Sequence, residues 1–221
     1  MKSIIITGAG SGLGKELAFL YGQQGFHLIL VGRTLEKLKA IESQIRAMNG
    51  HADSFVLDIT DQTAIQTFMD GIRGKFHLYG LINNAGVGHF GPFENIAPSE
   101  MKEMLATNVL GPLYLSQAIL PSLVEEKEGF LMNIISTAGL KGKVNEAGYV
   151  TSKFAIRGLT ESLQKEYEHT GVKIKAVYMG GMDTPFWDFN DHIKDKSRLR
   201  SPAKIAEMIV ARMDEDTIII E

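Results

Sequence analysis

Residues 7–14 read Thr-Gly-Ala-Gly-Ser-Gly-Leu-Gly, a glycine-rich turn that follows three isoleucines and precedes leucines at helical spacing. The turn therefore joins a predicted strand to a predicted helix. Gly8 permits a turn that a side chain would block, Gly12 lets the backbone approach a phosphate, and Gly14 lets the helix pack closely on the sheet. Because a helix N-terminus carries free N–H groups and positive partial charge, the pattern predicts a site for a dinucleotide pyrophosphate. The alternative is a tight turn that needs glycine for its backbone shape alone.

Short apolar runs alternate with longer stretches of helical period throughout the chain. The predicted strands cover residues 4–6, 27–31, 54–57, 78–82, 130–135, 172–178 and 218–220. They are continuous apolar runs, which is typical of a parallel sheet with both faces covered. We predict an α/β fold of the Rossmann type: a single-domain doubly wound parallel sheet of about seven strands with helices on both faces. No linker divides residues 1–221, and the irregular stretch 181–201 is predicted to be a short substrate-covering segment.

The composition excludes several kinds of protein. Of the 221 residues, 44% are hydrophobic and 22% are charged, which argues against disorder. A net charge of −3 provides no general attraction to nucleic acid or to anionic membranes. The absence of cysteine excludes disulfides, thiolate zinc sites and a cysteine nucleophile, and the histidine spacing predicts no metal site. No apolar run reaches the roughly 18 residues that cross a bilayer, and the N-terminus is unlike a signal peptide, so we expect a cytoplasmic protein.

The end of the second predicted strand bears on the choice of nucleotide. A site for NAD would place an aspartate or glutamate there to bind the ribose 2′-hydroxyl group. No acidic residue lies between Glu16 and Glu36, and the strand ends instead at Arg33, whose guanidinium can pair with a 2′-phosphate. The sequence therefore predicts that NADP(H) is preferred over NAD(H). The alternative is a solvated arginine in a loop.

Tyr149 and Lys153 are four residues apart, so a predicted helix places them on one face. An ammonium group beside a phenol favours the phenolate and lowers the pKa of the tyrosine, which is otherwise a poor base near neutrality. Ser136 ends the fifth predicted strand and can donate a hydrogen bond to a carbonyl oxygen. A tyrosine and a lysine at this spacing also occur by chance on exposed helix faces. The presence of Ser136 is therefore what favours a catalytic role for the pair.

These motifs resemble those of the short-chain dehydrogenase/reductase family, and the resemblance covers nearly the whole chain up to about Thr184. Asn83-Asn84-Ala85-Gly86 is similar to the motif that follows the fourth strand in that family. Asn108 matches the asparagine of the family's catalytic tetrad Asn-Ser-Tyr-Lys. Ser136 lies thirteen residues before Tyr149, which is the family's usual spacing.

The resemblance implies a role for each member of the tetrad. Tyr149 is the general acid/base, and Ser136 polarises the same carbonyl oxygen. Lys153 lowers the pKa of Tyr149 and holds the hydroxyl groups of the nicotinamide ribose. Asn108 anchors a proton relay that runs through water to Lys153.

The resemblance also implies a set of cofactor contacts, among which Asp58 matches the aspartate that contacts adenine. The full set is Gly8, Ser11, Gly12, Leu13, Gly14, Arg33, Asp58, Ile59, Asn84, Ala85, Gly86, Tyr149, Lys153, Gly180, Met182 and Thr184. The chain departs from the family at Met179, where a proline is frequent, and this puts the local backbone shape in doubt.

The function that the resemblance implies is an NADP-dependent oxidoreductase that transfers a hydride between a nicotinamide cofactor and a small carbonyl or alcohol substrate. The alternative is a non-catalytic dinucleotide-binding regulatory protein of the same fold. By resemblance we also expect a homodimer or homotetramer, with an interface on the long helices near 108–127 and 148–168.

Several residues around the predicted pocket have more than one interpretation. Phe186, Trp187 and Phe189 can form an apolar wall over a substrate or can pack in the core. His89 can line the substrate pocket, but we interpret it as a surface or hydrogen-bonded histidine. Glu146, three residues before Tyr149, can face a substrate, but we predict that it is a solvated loop carboxylate.

Overall fold

The computed structural model describes residues 1–188, 192–193 and 195–220. Strands alternate with helices along this part of the chain. The strands and α-helices are β1 (Lys2–Thr7), α1 (Gly12–Gln23), β2 (His27–Gly32), α2 (Leu35–Ala47), β3 (His51–Val56), α3 (Gln62–Ile72), β4 (His77–Asn83), α4 (Pro98–Leu105), α5 (Gly111–Glu126), β5 (Phe130–Ile134), α6 (Ala147–Glu166), β6 (Lys173–Met179), α7 (Pro202–Val210) and β7 (Thr217–Ile220).

The strands form one seven-stranded parallel sheet in the order β3-β2-β1-β4-β5-β6-β7. The order reverses between β1 and β4, which is the point where open α/β sheets form a crevice at the carboxyl ends of their strands. The predicted Rossmann-type α/β fold is therefore confirmed.

Two separate apolar clusters cover the two faces of the sheet, because successive strand residues point to opposite sides. Ile4 and Ile6 of β1 pack on one face with residues of α1, α2 and α7. Ile5 packs on the other face with residues of α3 and α5. Every buried strand thus needs apolar side chains in both directions, which accounts for the continuous apolar runs in the sequence.

The third strand differs from its prediction. It was expected at 54–57 and instead runs from His51 to Val56. β3 lies at the edge of the sheet and pairs only with β2 among the described strands, so the polar residues His51 and Asp53 occupy exposed and half-buried positions on it. A search for continuous apolar runs misses such an edge strand.

Buried polar contacts fix the helices that carry the candidate site. A π-helical turn (Ala106–Leu110) links α4 to α5, a local irregularity that the helical period did not predict. Asn83 of β4 donates to Asn133 of β5 at 2.8 Å, and Asn133 donates to Thr160 of α6 at 2.8 Å. Among the described residues, none of the helices combines the length and the hydrophobicity of a membrane span.

Two neighbouring isoleucines of β7 provide a test of this packing. Ile218 is completely buried, whereas Ile219 is 42% exposed. We expect Ile218→Ala to lower the free energy of unfolding by about 2–5 kcal/mol, because it leaves a cavity in the core. Ile219→Ala should lower the free energy of unfolding much less. Urea unfolding measures both, and equal losses would contradict the position of β7.

Candidate active site

A cleft of about 780 Å³ lies at the carboxyl edge of the sheet, where the strand order reverses. Arg33 lines one end, Tyr149 and Lys153 line the middle, and His192 lines the other end. Its volume lies in the usual range of sites for small ligands and cofactors. The cleft therefore stands where the sequence places a nucleotide.

The glycine-rich turn forms the floor of the cleft. Gly8 and Gly12 have φ angles of +65° and +52°, a backbone region that other residues enter at a cost. A Cβ atom on Gly14 would stand 2.5 Å from the carbonyl oxygen of Gly8 and from Nδ2 of Asn84, so only glycine allows α1 to approach this closely.

The start of α1 fits a phosphate group. Ser11 precedes the helix in an extended conformation, and the N–H of Lys15 donates to its carbonyl oxygen at 3.2 Å. The N–H groups of residues 12–14 come before this first helical hydrogen bond. By sequence, the first turn contains no acidic side chain, so the positive end of the helix dipole is not neutralised locally. The turn thus has the shape and the donors that a pyrophosphate needs.

Thr7 joins the glycine-rich turn to the loop after β4. Its Oγ1 accepts hydrogen bonds from the backbone N–H groups of Asn84 and Ala85, both at 3.0 Å. The side chain of Asn84 donates back to the carbonyl oxygen of Thr7 at 2.9 Å. These bonds hold Asn84, Ala85 and Gly86 against the cleft, which all three line.

At the far end of the cleft, Arg33 and Asp58 are both exposed and lie near each other. The carboxylate of Asp58 accepts hydrogen bonds from the N–H and hydroxyl groups of Thr60, at 2.9 and 2.8 Å. These bonds, followed by the positive charge of Arg33, hold the pKa of Asp58 below its usual value. Arg33 therefore presents its guanidinium at the far end of the cleft, beside Asp58.

The residues of the predicted tetrad converge at the middle of the cleft. Tyr149 and Lys153 lie on one face of α6, with Nζ of Lys153 at 5.5 Å from the centre of the tyrosine ring. The hydroxyl of Ser136 lies close enough to that of Tyr149 to influence its pKa. Asn108 lies behind the cleft wall, where its Oδ1 accepts from Val87 N–H at 2.9 Å and its Nδ2 donates to Val87 O at 2.8 Å.

Burial governs the protonation of the central pair. It lowers the pKa of Lys153 to about 8, although the ammonium donates to the carbonyl oxygen of Ile134 at 3.2 Å. It also raises the pKa of Tyr149, an effect opposed by the hydroxyl of Ser136 and reinforced by the charge of Glu146. That Lys153 lowers the pKa of Tyr149 stays a prediction.

Ser136 has an unusual backbone conformation that the sequence did not indicate. Its φ of +91° and ψ of +151° lie in a region populated almost only by glycine. Two contacts hold it there: its Oγ accepts from the N–H of Ala138 at 3.2 Å, and its carbonyl oxygen accepts from Gly139 at 2.9 Å. The strained turn directs the end of β5 toward Tyr149.

Aromatic side chains line the end of the cleft beyond Tyr149. Phe90 stacks on His192 at 4.7 Å and on Trp187 at 5.3 Å, and its ring meets that of Tyr149 edge-on at 5.3 Å. Phe186 also lines the cleft, so Phe186 and Trp187 form a wall of the site. Phe189 lies outside the described residues.

The prediction that Glu146 is a solvated loop carboxylate is wrong. The residue is only 8% exposed and lines the cleft. Its loop folds onto the loop after β4, where Gly91 N–H donates to the carbonyl oxygen of Asn145 at 2.8 Å. Its position three residues before Tyr149 was the available signal, but nothing in the sequence showed that His192 and Phe90 would cover it.

The remaining predicted residues also lie at this edge. His89 contacts two carboxylates, Glu103 at 2.8 Å and Glu100 at 3.3 Å, in agreement with its interpretation as a hydrogen-bonded histidine. Of the expected cofactor contacts, all border the cleft except Gly14, which packs α1 against the turn. These bordering residues are Gly8, Ser11, Gly12, Leu13, Arg33, Asp58, Ile59, Asn84, Ala85, Gly86, Tyr149, Lys153, Gly180, Met182 and Thr184. The described part of the chain contains no group of three histidine or acidic side chains suited to a metal ion.

Comparisons with known proteins agree with this geometry. The family profile described as short chain dehydrogenase matches residues 2–194. The chain is 31% identical to an uncharacterized oxidoreductase of Escherichia coli, YciK, over 98% of this chain and 87% of that protein. It is 30% identical to a sepiapterin reductase of Chlorobaculum tepidum, over 95% of this chain and 89% of that protein. Among solved structures, it is similar to an alcohol dehydrogenase of Thermococcus sibiricus complexed with 5-hydroxy-NADP, with a TM-score of 0.91 and 25% identity over 99% of this chain and 95% of that one.

The pKa of Lys153 gives a test of the buried centre. We expect its Cε NMR signal, assigned by its loss in Lys153→Arg, to titrate with a midpoint at about pH 8 in the folded, cofactor-free protein. An unfolded lysine titrates near 10.4. Because the folded state binds fewer protons between these values, the contribution of Lys153 to the free energy of unfolding should rise with pH across that window. A midpoint near 10.4 in the folded protein would contradict the burial of this amine.

Proposed function

The chain belongs to the short-chain dehydrogenase/reductase family, as its sequence predicted, and we propose that it transfers a hydride between NADP(H) and a carbonyl or alcohol substrate. Family membership makes it an oxidoreductase. The observation that carries the more specific proposal is the convergence of Ser136, Tyr149 and Lys153 on the cleft beside the glycine-rich turn. The nicotinamide, when bound, supplies or accepts the hydride.

Tyr149 is the proposed acid/base. Because burial raises the pKa of its phenol, the group carries its proton at neutral pH, which suits a donor to the oxygen of a carbonyl under reduction. In the reverse direction, the phenolate accepts the proton of the substrate hydroxyl. Ser136, whose hydroxyl influences the pKa of Tyr149, polarises the same substrate oxygen from a second direction.

Lys153 and Asn108 are proposed to form the relay that returns a proton to Tyr149. An amine whose pKa is about 8 exchanges protons readily near neutrality. A Cβ on Gly86 would lie 3.3 Å from Oδ1 of Asn108 and 3.8 Å from Nζ of Lys153, so both polar atoms flank the same glycine. This proximity supports a relay between them. Lys153 also borders the cleft, where it can hold ribose hydroxyl groups.

The cofactor preference is proposed from the exposed end of the cleft. Arg33 stands where a 2′-phosphate would lie, and a guanidinium binds phosphate oxygens through paired donors. Gly180, Met182 and Thr184 also border the cleft, and Thr184 lies close to Gly12 of the glycine-rich turn. They complete the proposed nicotinamide-binding wall.

An oligomer through the long helices also remains a proposal. Leu110, at the start of α5, is 41% exposed, and Phe154 of α6 is 42% exposed. Apolar side chains on two helices that share a predicted interface support a homodimer or homotetramer.

We expect Tyr149→Phe to lower kcat for carbonyl reduction by about a hundredfold or more, because it removes the transferable proton. The dissociation constant for NADPH, measured by fluorescence titration, should stay within a few-fold. Tyr167→Phe, at the end of α6 and outside the cleft, is the matched control and should keep full turnover. Turnover retained in Tyr149→Phe would refute the acid/base assignment. Tight NADPH binding with no turnover of any carbonyl compound by the unmodified protein would favour the regulatory alternative.

Arg33 provides the test of cofactor preference. We expect the protein to bind NADPH more tightly than NADH, and Arg33→Ala to narrow that difference about tenfold or more, because it removes a charge-assisted contact to the 2′-phosphate. Arg73→Ala, which removes a guanidinium at the end of α3, should leave the ratio unchanged. Equal affinities for the two cofactors in the unmodified protein would contradict the proposed role of Arg33.

A further inference from the structure

Glu146 stands in the substrate end of the cleft and has no part in the proposed hydride transfer. It directly precedes α6, three residues before Tyr149, and both side chains line the cleft. Its negative charge is one of the causes that raise the pKa of Tyr149, so the carboxylate acts on the reacting group at short range. A buried carboxylate in such a place costs free energy unless it has hydrogen-bond donors.

The two oxygens of this carboxylate have different partners. Oε1 is 3.0 Å from Nε2 of His192, within hydrogen-bond distance. Oε2 is 3.9 Å from Nζ of Lys143, which is an ion-pair distance but too long for a hydrogen bond. A carboxylate accepts about four hydrogen bonds. Oε2 therefore keeps acceptor capacity on the same side of the cleft as the reacting tyrosine.

The surroundings of Glu146 are aromatic. Phe90 stacks on His192 at 4.7 Å, and Phe186 lies 5.8 Å from the ring of Tyr149. A Cβ on Gly88 would stand 2.5 Å from Phe90 and 2.7 Å from Phe186, so the glycine makes room for both rings. This end of the cleft thus combines an aromatic wall with the carboxylate of Glu146, while two other carboxylates that line the cleft, Glu100 and Glu103, pair with His89.

We propose that Glu146 determines substrate specificity, by accepting a hydrogen bond from a hydroxyl group on the carbon next to the substrate carbonyl. The aromatic wall takes a planar apolar group on the other side of that carbonyl. The substrate class is therefore the aryl ketone with an adjacent hydroxyl group. This inference rests on the proposed function, because it requires Tyr149 to face the carbonyl oxygen.

The physical basis is the cost of leaving Glu146 without a partner. A ketone with a methyl group in place of the hydroxymethyl group displaces water from Oε2 and returns no donor. A ketone with a carboxylate at that position brings a second negative charge to the same place, and the two charges repel each other in a poorly solvated cleft. The hydroxyl-bearing ketone donates a hydrogen bond to Oε2 and brings no second negative charge, so it avoids both the desolvation cost and the repulsion.

A matched series of phenyl ketones tests the proposal by steady-state oxidation of NADPH. The members are PhCOCH₂OH, PhCOCH₃ and PhCOCO₂⁻, which differ only beside the carbonyl. We expect kcat/KM for the hydroxymethyl ketone to exceed that for the methyl ketone by about tenfold or more, the factor that a hydrogen bond to a charged group supplies. The keto acid should be the poorest substrate.

Variants of Glu146 locate the cause of this preference. Glu146→Leu should bring the kcat/KM of the hydroxymethyl ketone, divided by that of the methyl ketone, close to one. Glu146→Gln preserves the shape and removes the charge, so it should improve the keto acid relative to the methyl ketone. Glu161→Leu, on the exposed face of the same helix and paired with Arg157, is the control and should keep the original ratio.

The outcomes separate this inference from the proposed function. Reduction of the ketones with a ratio near one in the unmodified protein overturns the role of Glu146 and leaves the proposed function standing. A large ratio that persists in Glu146→Leu also overturns it, and would show that the pair with His192 only holds the loop. If neither these ketones nor a broad panel of carbonyl compounds is reduced, the proposed function itself fails. NADPH affinity, measured for each variant, confirms that the cleft is folded.

Discussion

The contact between the ends of β1 and β4 is the constraint on which the cleft depends. These two strands are neighbours in the sheet, but their following segments turn to opposite faces, and this divergence opens the crevice. Thr7 bridges it with one hydroxyl that accepts from two backbone N–H groups. Gly14 then allows α1 to reach the same joint. The phosphate-binding turn and the loop that borders the reacting tyrosine are therefore positioned by a single local contact.

The buried charges at the centre of the cleft lower the stability of the folded protein, and packing elsewhere in the fold must compensate for this loss. Lys153 and Glu146 are charged groups with little exposure, and each costs stability when water is withdrawn. The Asn83–Asn133–Thr160 hydrogen bonds, and the packing of Ile156 on Ala176 and Tyr178 of β6, offset this cost by tying α6 to the sheet. Such a supported, partly dehydrated centre is what makes the charges around Tyr149 effective, because solvent screens them weakly.

Local patterns allowed most of the fold and much of the site to be predicted. The glycine-rich turn and the spacing of Tyr149 and Lys153 act within one turn or one helix, so their geometry follows from the sequence nearby. Glu146 was misjudged because its burial depends on packing against His192, which is distant in sequence and lies in an irregular segment. The desolvation that raises the pKa of Tyr149 could not be predicted either, since it is set by the whole surrounding pocket rather than by one neighbouring amine.

At Ser136, the backbone conformation lowers the stability of the fold while the side chain is proposed to serve catalysis. A non-glycine residue in this region pays on the order of 1–3 kcal/mol, which glycine would not. A mutant library selected only for resistance to heat should therefore enrich glycine at residue 136. Glycine at this position would lack the hydroxyl group proposed to polarise the substrate. A selection for thermal stability must therefore also screen for turnover.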